Sequence, residues 1–184
     1  MMRIYLKQIC MVGNFKHLAL FIIYLVCFSC QNKERVKLGN ELVSENLNVL
    51  LDDLDYFNTS GNTLTVKIDQ YTGEYTSDKE VVLKKFQDKF DLKDESFFDE
   101  TIKIEKIPKQ IGNSPLFLNT DHTFQKRNNV ITVSFVNLII SKNNQYASVE
   151  VIKSLGSGAK FEIYFFKQVN NKWKFESKEV IGIG

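Results

Sequence analysis

Between residues 38 and 57 the apolar positions Leu38, Leu42, Val43, Leu47, Leu50, Leu51, Leu54 and Phe57 recur at spacings of three and four, with Asn40, Glu41, Glu45, Asn48, Asp52 and Asp53 between them. That is the 3.6-residue period of a helix with one buried stripe, and it predicts a helix over about residues 39–57. "NTSGN", residues 58–62, ends it. The period then changes to two: Leu64, Val66 and Ile68 alternate with Thr65, Lys67 and Asp69, as in a half-buried strand. A second helix is expected from "SDKE", where Ser77 and Glu80 have capping-box spacing, through Val82, Leu83, Phe86 and Phe90. "TIKIEKI", residues 101–107, alternates again and predicts a second strand.

Residues 108–129 hold both prolines and show no clear period, so they are expected to form a long connection, either functional or poorly ordered. The last third is the most regular. "NVITVSFVNLII", "QYASVEVIK", "KFEIYFFKQV" and "KWKFESKEVI" are four β-rich runs separated by "SKNN", "SLGSG" and "NN", turn chemistry suited to tight hairpins. Trp173 and Phe175 alternate with Lys172, Lys174 and Glu176, as on a strand with one packed and one wet face. The expected fold class is α+β, with two N-terminal amphipathic helices packed on the apolar face of a curved antiparallel sheet that ends in a four-stranded meander.

The beginning of the chain reads differently. "LALFIIYLVCF", residues 18–28, is an unbroken apolar run of eleven, preceded by Lys16 and His17 and followed by Ser29 and Cys30. A membrane-spanning helix needs about 20 apolar residues, and upstream extension meets Gly13, Asn14 and Lys16. The length is that of the apolar core of an export signal. "QNKERVK", residues 31–37, is polar and mixed in charge, the composition of a short tether. The organisation expected is therefore a signal peptide over 1–29, a tether over 30–37 and a single domain over 38–184. Met11 offers an alternative start that would give a compact signal beginning "MVGNFKHLALF".

Charge supports the same division. The full chain has 24 Lys and Arg against 22 Asp and Glu. Arg3, Lys7 and Lys16 all precede Cys30 and no acid does, so residues 30–184 carry 21 cations against 22 anions. A chain this balanced, with no aromatic-interleaved basic run, gives no reason to expect a nucleic-acid partner. Cys10, Cys27 and Cys30 are the only cysteines, so the domain beyond them has no internal disulfide, thiolate zinc cluster or cysteine nucleophile. That domain must hold together by its core, toward which it has 12 of the chain's 15 phenylalanines.

Candidate chemistry is sparse. His122, beside Asp121 in "NTDHTF", is the one histidine after Cys30, and the pair is the candidate ligand loop. No second His or Cys accompanies it to complete a metal site, and neighbours in sequence point apart, so neither a metal nor a cofactor is expected. "GSG", residues 156–158, is followed by a strand rather than a helix, which makes it a hairpin turn and not a phosphate cradle. The carboxylates of "LLDDLD" and "KDESFFDE" lack the alternating ligands, central glycine and terminal glutamate of a calcium loop and read as solvated faces. Tyr71 and Tyr75 flank "TGE" and read as strand and turn aromatics, with a pocket-lining role as the alternative. "CFSC" has the C-x-x-C spacing of redox sites but ends an apolar run instead of opening a helix after a strand.

The first 30 residues, with their basic flank, short apolar core, Ser29 at −1 and Cys30 at +1, resemble a bacterial lipoprotein signal peptide of the looser Bacteroidetes type. The resemblance departs from the usual pattern at Cys27, where an aliphatic residue is the rule. It implies that Cys30 is lipidated and becomes the first residue of a membrane-anchored envelope protein. The strand and turn residues Ser141 to Ala147, Gly156 to Gly158 and Asn171 to Lys174 resemble a module of uncharacterised exported Bacteroidetes proteins, which brings no functional residues with it. The helix-then-sheet order resembles NTF2-like and cystatin-like cones, whose concave side often holds a pocket. The function expected is a noncatalytic domain binding an unknown protein or small molecule at the envelope. The alternative is a small enzyme using His122 and Asp121.

Overall fold

In the computed structural model the described residues are 33–57, 63–73, 79–93, 101–119 and 129–184. Cys30, Tyr75, Ser77, Asp121 and His122 lie outside them. The chain divides into two units, Met1–Lys37 and Leu38–Gly184. Of the first, residues 33–37 are described and are helical.

The second unit is built on a curled seven-stranded sheet. Helix α1, residues 38–45 of this unit, runs into the short helix α2, Leu47–Leu50, and a 3-10 turn at Leu54–Phe57. Together these cover the stretch predicted as one helix, and the predicted stripe is the buried one: Leu42, Val43, Leu47, Leu50, Leu51 and Phe57 are all inside. The helix is interrupted at Asn46, whose side-chain amide donates to the Leu42 carbonyl, a local bond that competes with the helical ladder. Strand β1, Thr65–Asp69, follows with Val66 and Ile68 buried. Helix α3 is Lys79–Phe90, then come β2, Gln110–Ile111, and β3, Ser114–Asn119. The meander is β4, Val130–Ile140; β5, Tyr146–Leu155; β6, Gly158–Val169; and β7, Lys172–Ile183.

The strand order is β2-β3-β1-β4-β5-β6-β7. Three expectations change here. The sheet is mixed rather than antiparallel, because β1 runs parallel to both β3 and β4. Alternation reports which face a side chain takes, never strand direction. The 101–107 stretch is not a strand. It makes one bridge, Lys103 to Tyr71, and its alternation reflects the burial of Ile102 and Ile104. Part of the 108–129 connection is instead a hairpin whose second strand, β3, lies inside the sheet.

The helices also divide between the two faces of the sheet. Registers of β5 with β6 put Val149, Val151 and Lys153 on the same face as Tyr164, Glu162 and Lys160, and put Ser148 and Glu150 with Phe165 and Ile163 on the other. Helix α3 packs Val82 and Phe86 against Ile139, Ile163 and Phe165 on the second face. The α1–α2 stretch covers the first, where Trp173 Nε1 donates to the Leu38 carbonyl at 3.0 Å. Gly39 is where this helix comes closest to its neighbours: a Cβ there would stand 2.0 Å from Ile102 Cδ1 and 2.9 Å from Leu138 Cδ2.

The meander follows the predicted turn chemistry. Val169 pairs with Lys172, so Asn170 and Asn171 form a two-residue turn, and their φ angles of 53° and 59° are those a type I′ hairpin requires. Leu155 pairs with Gly158 across Gly156 and Ser157, so "GSG" is a hairpin turn.

Candidate functional site

Lys153 sits at an inward position of β5, and its side chain is wholly buried. A buried ammonium must spend its three donors on acceptors. Here they reach the Asp52 carbonyl at 2.7 Å, Glu162 Oε2 at 2.8 Å and the Tyr164 hydroxyl at 2.8 Å. The first contact is explained by the helix it terminates: beyond α2 the Asp52 carbonyl is among those with no helical donor, and a cation there also complements the helix dipole.

Around this centre the charges alternate. Tyr164 donates to Asp52 Oδ1. Lys178, on β7, pairs with Asp52 at 2.9 Å, with Glu162 Oε1 at 3.2 Å and with Asp53. Lys160, on β6, reaches Glu162 Oε1 at 2.9 Å and Asp53 at 3.2 Å. Its ammonium also stands 5.4 Å from the centre of the Tyr56 ring. Three ammoniums thus face three carboxylates, and the six charges cancel. Asp53 has a φ of 60°, the left-handed conformation that ends a helix, with an aspartate where glycine is commoner.

The carboxylate oxygens of Asp52, Asp53 and Glu162 come within 4.8 Å of one another, close enough for a cation. The three lysines already supply the opposing charge, so the donor set does not call for a metal.

The network fixes one wall of a groove of about 460 Å³. Asn48, Asp52, Asp53 and Asp55 line one side, and Ile111, Gly112, Asn113 and Ser114 of the β2–β3 turn line the other. A smaller polar cluster lies at the C-terminal end of β1, where Asn119 Nδ2 donates to Asp69 Oδ1 at 2.9 Å and the Ser134 hydroxyl donates to Asp69 Oδ2.

Protonation of the main network is shifted in a consistent direction. Burial alone would raise the Glu162 carboxyl, but hydrogen bonds from Lys153 and Lys160, with the nearby Lys153 charge, hold it below the usual carboxylate range. The hydrogen bond from Lys178 is the largest influence on Asp53 and lowers it, against an opposing effect of burial. Burial works to lower Lys178 and Lys160, and the carboxylates facing them outweigh it and raise both. Tyr164 is raised by burial first and then by its bond to Asp52.

Depressed carboxylates contribute stability above their unfolded pKa that is lost as pH falls through the folded value. Raised lysines and tyrosine contribute stability below theirs that is lost as pH rises. Stability should therefore be level between about pH 5 and 9 and fall below about pH 4 and above about pH 10. Melting temperature across that range measures it. A melting temperature still rising beyond pH 10 would show that the lysines are not paired in solution.

Sequence reasoning treated Asp52 and Asp53 as solvated and did not single out Lys153, Lys160, Glu162, Tyr164 or Lys178. The signal was present in the alternation: Lys153 has the parity of Val149 and Val151, and Glu162 that of Tyr164 and Phe166, so charge at those positions must be internally paired. Of the singled-out residues, Tyr71 is described, 45% exposed and clear of the groove. Comparison of the chain with protein-family models, with curated proteins and with solved structures finds no match.

Proposed function

We propose that this chain is a lipid-anchored envelope protein, attached through Cys30, whose 38–184 domain binds a protein or small molecule without transforming it. The observation that carries the anchor is the eleven-residue apolar run that stops at Ser29 and Cys30 and gives way at once to the polar 31–37 stretch. The binding reading is supported by the groove. Asp52 and Asp53 on this wall are committed to lysines, so they offer fixed shape and charge rather than a free base or nucleophile, and among the described residues Asp55 beside them pairs with no lysine. The curled sheet with a helix on its Lys153 face is read as an open cone of the NTF2-like or cystatin-like kind, with ligand selection at its rim.

Metabolic labelling with an alkyne palmitate, followed by mass spectrometry of the mature N-terminal peptide, tests the anchor. Wild type should carry label and begin at a diacylglyceryl-modified Cys30. Cys30→Ala should lose the label and accumulate as unprocessed chain. A mature terminus elsewhere, or an unmodified Cys30, would overturn the reading.

A further inference from the structure

The turns β4–β5 and β6–β7 lie at one end of the meander, and the Gln168 amide donates to the Gln145 carbonyl at 2.8 Å between them. This end carries Lys142, Lys167, Lys172 and Lys174, all exposed, and neither residues 141–147 nor residues 166–175 contain a single acid. The domain around it has the opposite sign. Residues 38–184 hold 18 Lys and Arg and 21 Asp and Glu, a net of −3, so without these four lysines the remainder has 14 against 21, a net of −7.

The basic end is also maintained against its own repulsion. Lys167 and Lys174 are direct cross-strand partners, an arrangement that destabilises a sheet when the charges are alike. Among the described residues no carboxylate pairs with Lys167, Lys172 or Lys174. Val169, 43% exposed, and Phe175, 41% exposed, add apolar surface beside them.

Chain connectivity gives this end its occupant. Trp173, between Lys172 and Lys174, is bonded to the carbonyl of Leu38, where the domain begins. Leu38 is eight residues from Cys30, a span of at most about 28 Å when fully extended. The intervening Lys33, Arg35 and Lys37 exceed the single acid Glu34 by two charges. An anchor at Cys30 therefore holds the basic end within reach of the lipid headgroups.

We propose that the Lys142, Lys167, Lys172 and Lys174 end of the meander is a second membrane determinant, which docks the domain onto an anionic lipid surface. This rests on the Cys30 anchor for its geometry. It follows a general pattern in which an acyl attachment is complemented by a basic patch. Docking holds the β6–β7 turn at the bilayer and leaves the domain little freedom to tumble on its tether.

Trp173 is the chain's single tryptophan and is buried, 4% exposed, just beneath this end, so its quenching reports how closely the headgroups approach. Full-length protein is reconstituted into vesicles of phosphatidylcholine alone, or with about a third phosphatidylglycerol, each carrying headgroup-nitroxide lipid as quencher. Trp173 should be quenched more strongly in the anionic vesicles, and high salt should relieve the difference. The triple variant Lys167→Glu, Lys172→Glu, Lys174→Glu should shift the docked-to-free ratio by roughly a hundredfold or more and abolish it. The same reversals at Lys103, Lys106 and Lys109, which give an identical net charge, should leave it intact. Equal quenching in both vesicle types, or the same loss in both triple variants, would overturn the proposal. The anchor is scored separately, by flotation and the mass of the Cys30 peptide, so its failure is distinguishable from failure of docking.

Discussion

Lys153→Met should destabilise the domain by about 3 kcal/mol or more, the lower part of the range for removing one partner from a buried ion pair. The methionine fills nearly the same volume, so the loss is electrostatic rather than a cavity. Without the ammonium the buried Glu162 Oε2 has only the Tyr164 hydroxyl nearby, 3.2 Å away and with its one proton given to Asp52 Oδ1, while Oε1 retains Lys160 and Lys178. That residual pairing is why the upper part of the range is not expected. The Asp52 carbonyl also loses its 2.7 Å donor at the end of α2, so the loss should reach the groove wall as well as the sheet. Glu162→Gln breaks the same balance from the other side, leaving three ammoniums facing two carboxylates. The double variant returns to two of each and should cost less than the sum of the singles, with a coupling of about 1–3 kcal/mol. Urea unfolding of the four proteins measures all of this. A Lys153→Met loss below about 1 kcal/mol, or additive singles, would show that the network does not hold the groove wall to the sheet.

How much of this was legible in the chain depends on how local the determinant is. The α1–α2 stripe was, because six of the eight residues that the period places on one side are buried. The Asn170–Asn171 turn was, because two adjacent residues tolerant of positive φ almost dictate the hairpin. β3 was not: its pairing with β1 joins residues some fifty positions apart, Asp69 with Asn119, and Pro115 argues against a strand inside a sheet. Pro115 is accommodated because the neighbouring Leu116 amide is the one that donates toward the β2 side, to the Lys109 carbonyl, and the ladder with β1 begins only at Leu116, so no ladder bond needs a Pro115 N–H. The 101–107 run shows the converse error, since Ile102 and Ile104 alternate to meet the core without pairing along a ladder. The charge network falls between these cases. Parity alone turned Lys153 and Glu162 inward, but which cations would meet which carboxylates depends on Asp52 and Asp53, some hundred residues earlier. The basic end of the meander was hidden in the same way, because lysines that are scattered over residues 142–174 become neighbours only when the two hairpins are laid side by side.

The other large effect should come from α3. Among the described residues this helix covers the second face of the sheet largely through Phe86, which is fully buried, and Val82. Phe86 meets Phe90 edge-on at 5.4 Å, Phe90 meets Phe165 at 6.1 Å, and Phe90 also stacks on Tyr146 at 4.5 Å, so one aromatic chain joins the helix to β5 and β6. Truncating its innermost ring removes both transfer energy and packing contacts, and Phe86→Ala should cost about 3–5 kcal/mol. Phe86→Leu keeps most of the volume and should cost under about 1.5 kcal/mol. Tyr146 pairs across the sheet with Lys167, whose ammonium is 6.0 Å from its ring centre, so loosening α3 should reach the basic end of the meander. The Lys153 network lies on the opposite face and draws no side chain from α3, so its contribution should survive. Amide exchange separates the two outcomes. In Phe86→Ala, protection should fall most in residues 79–90 and at Tyr146 and Lys167, while the bonded amides of Val49, Leu50, Leu51 and Asp52, on the other face, should lose only what global destabilisation demands. A uniform loss across both faces would mean that α3 is integral to one cooperative core and that the two faces are not independently held.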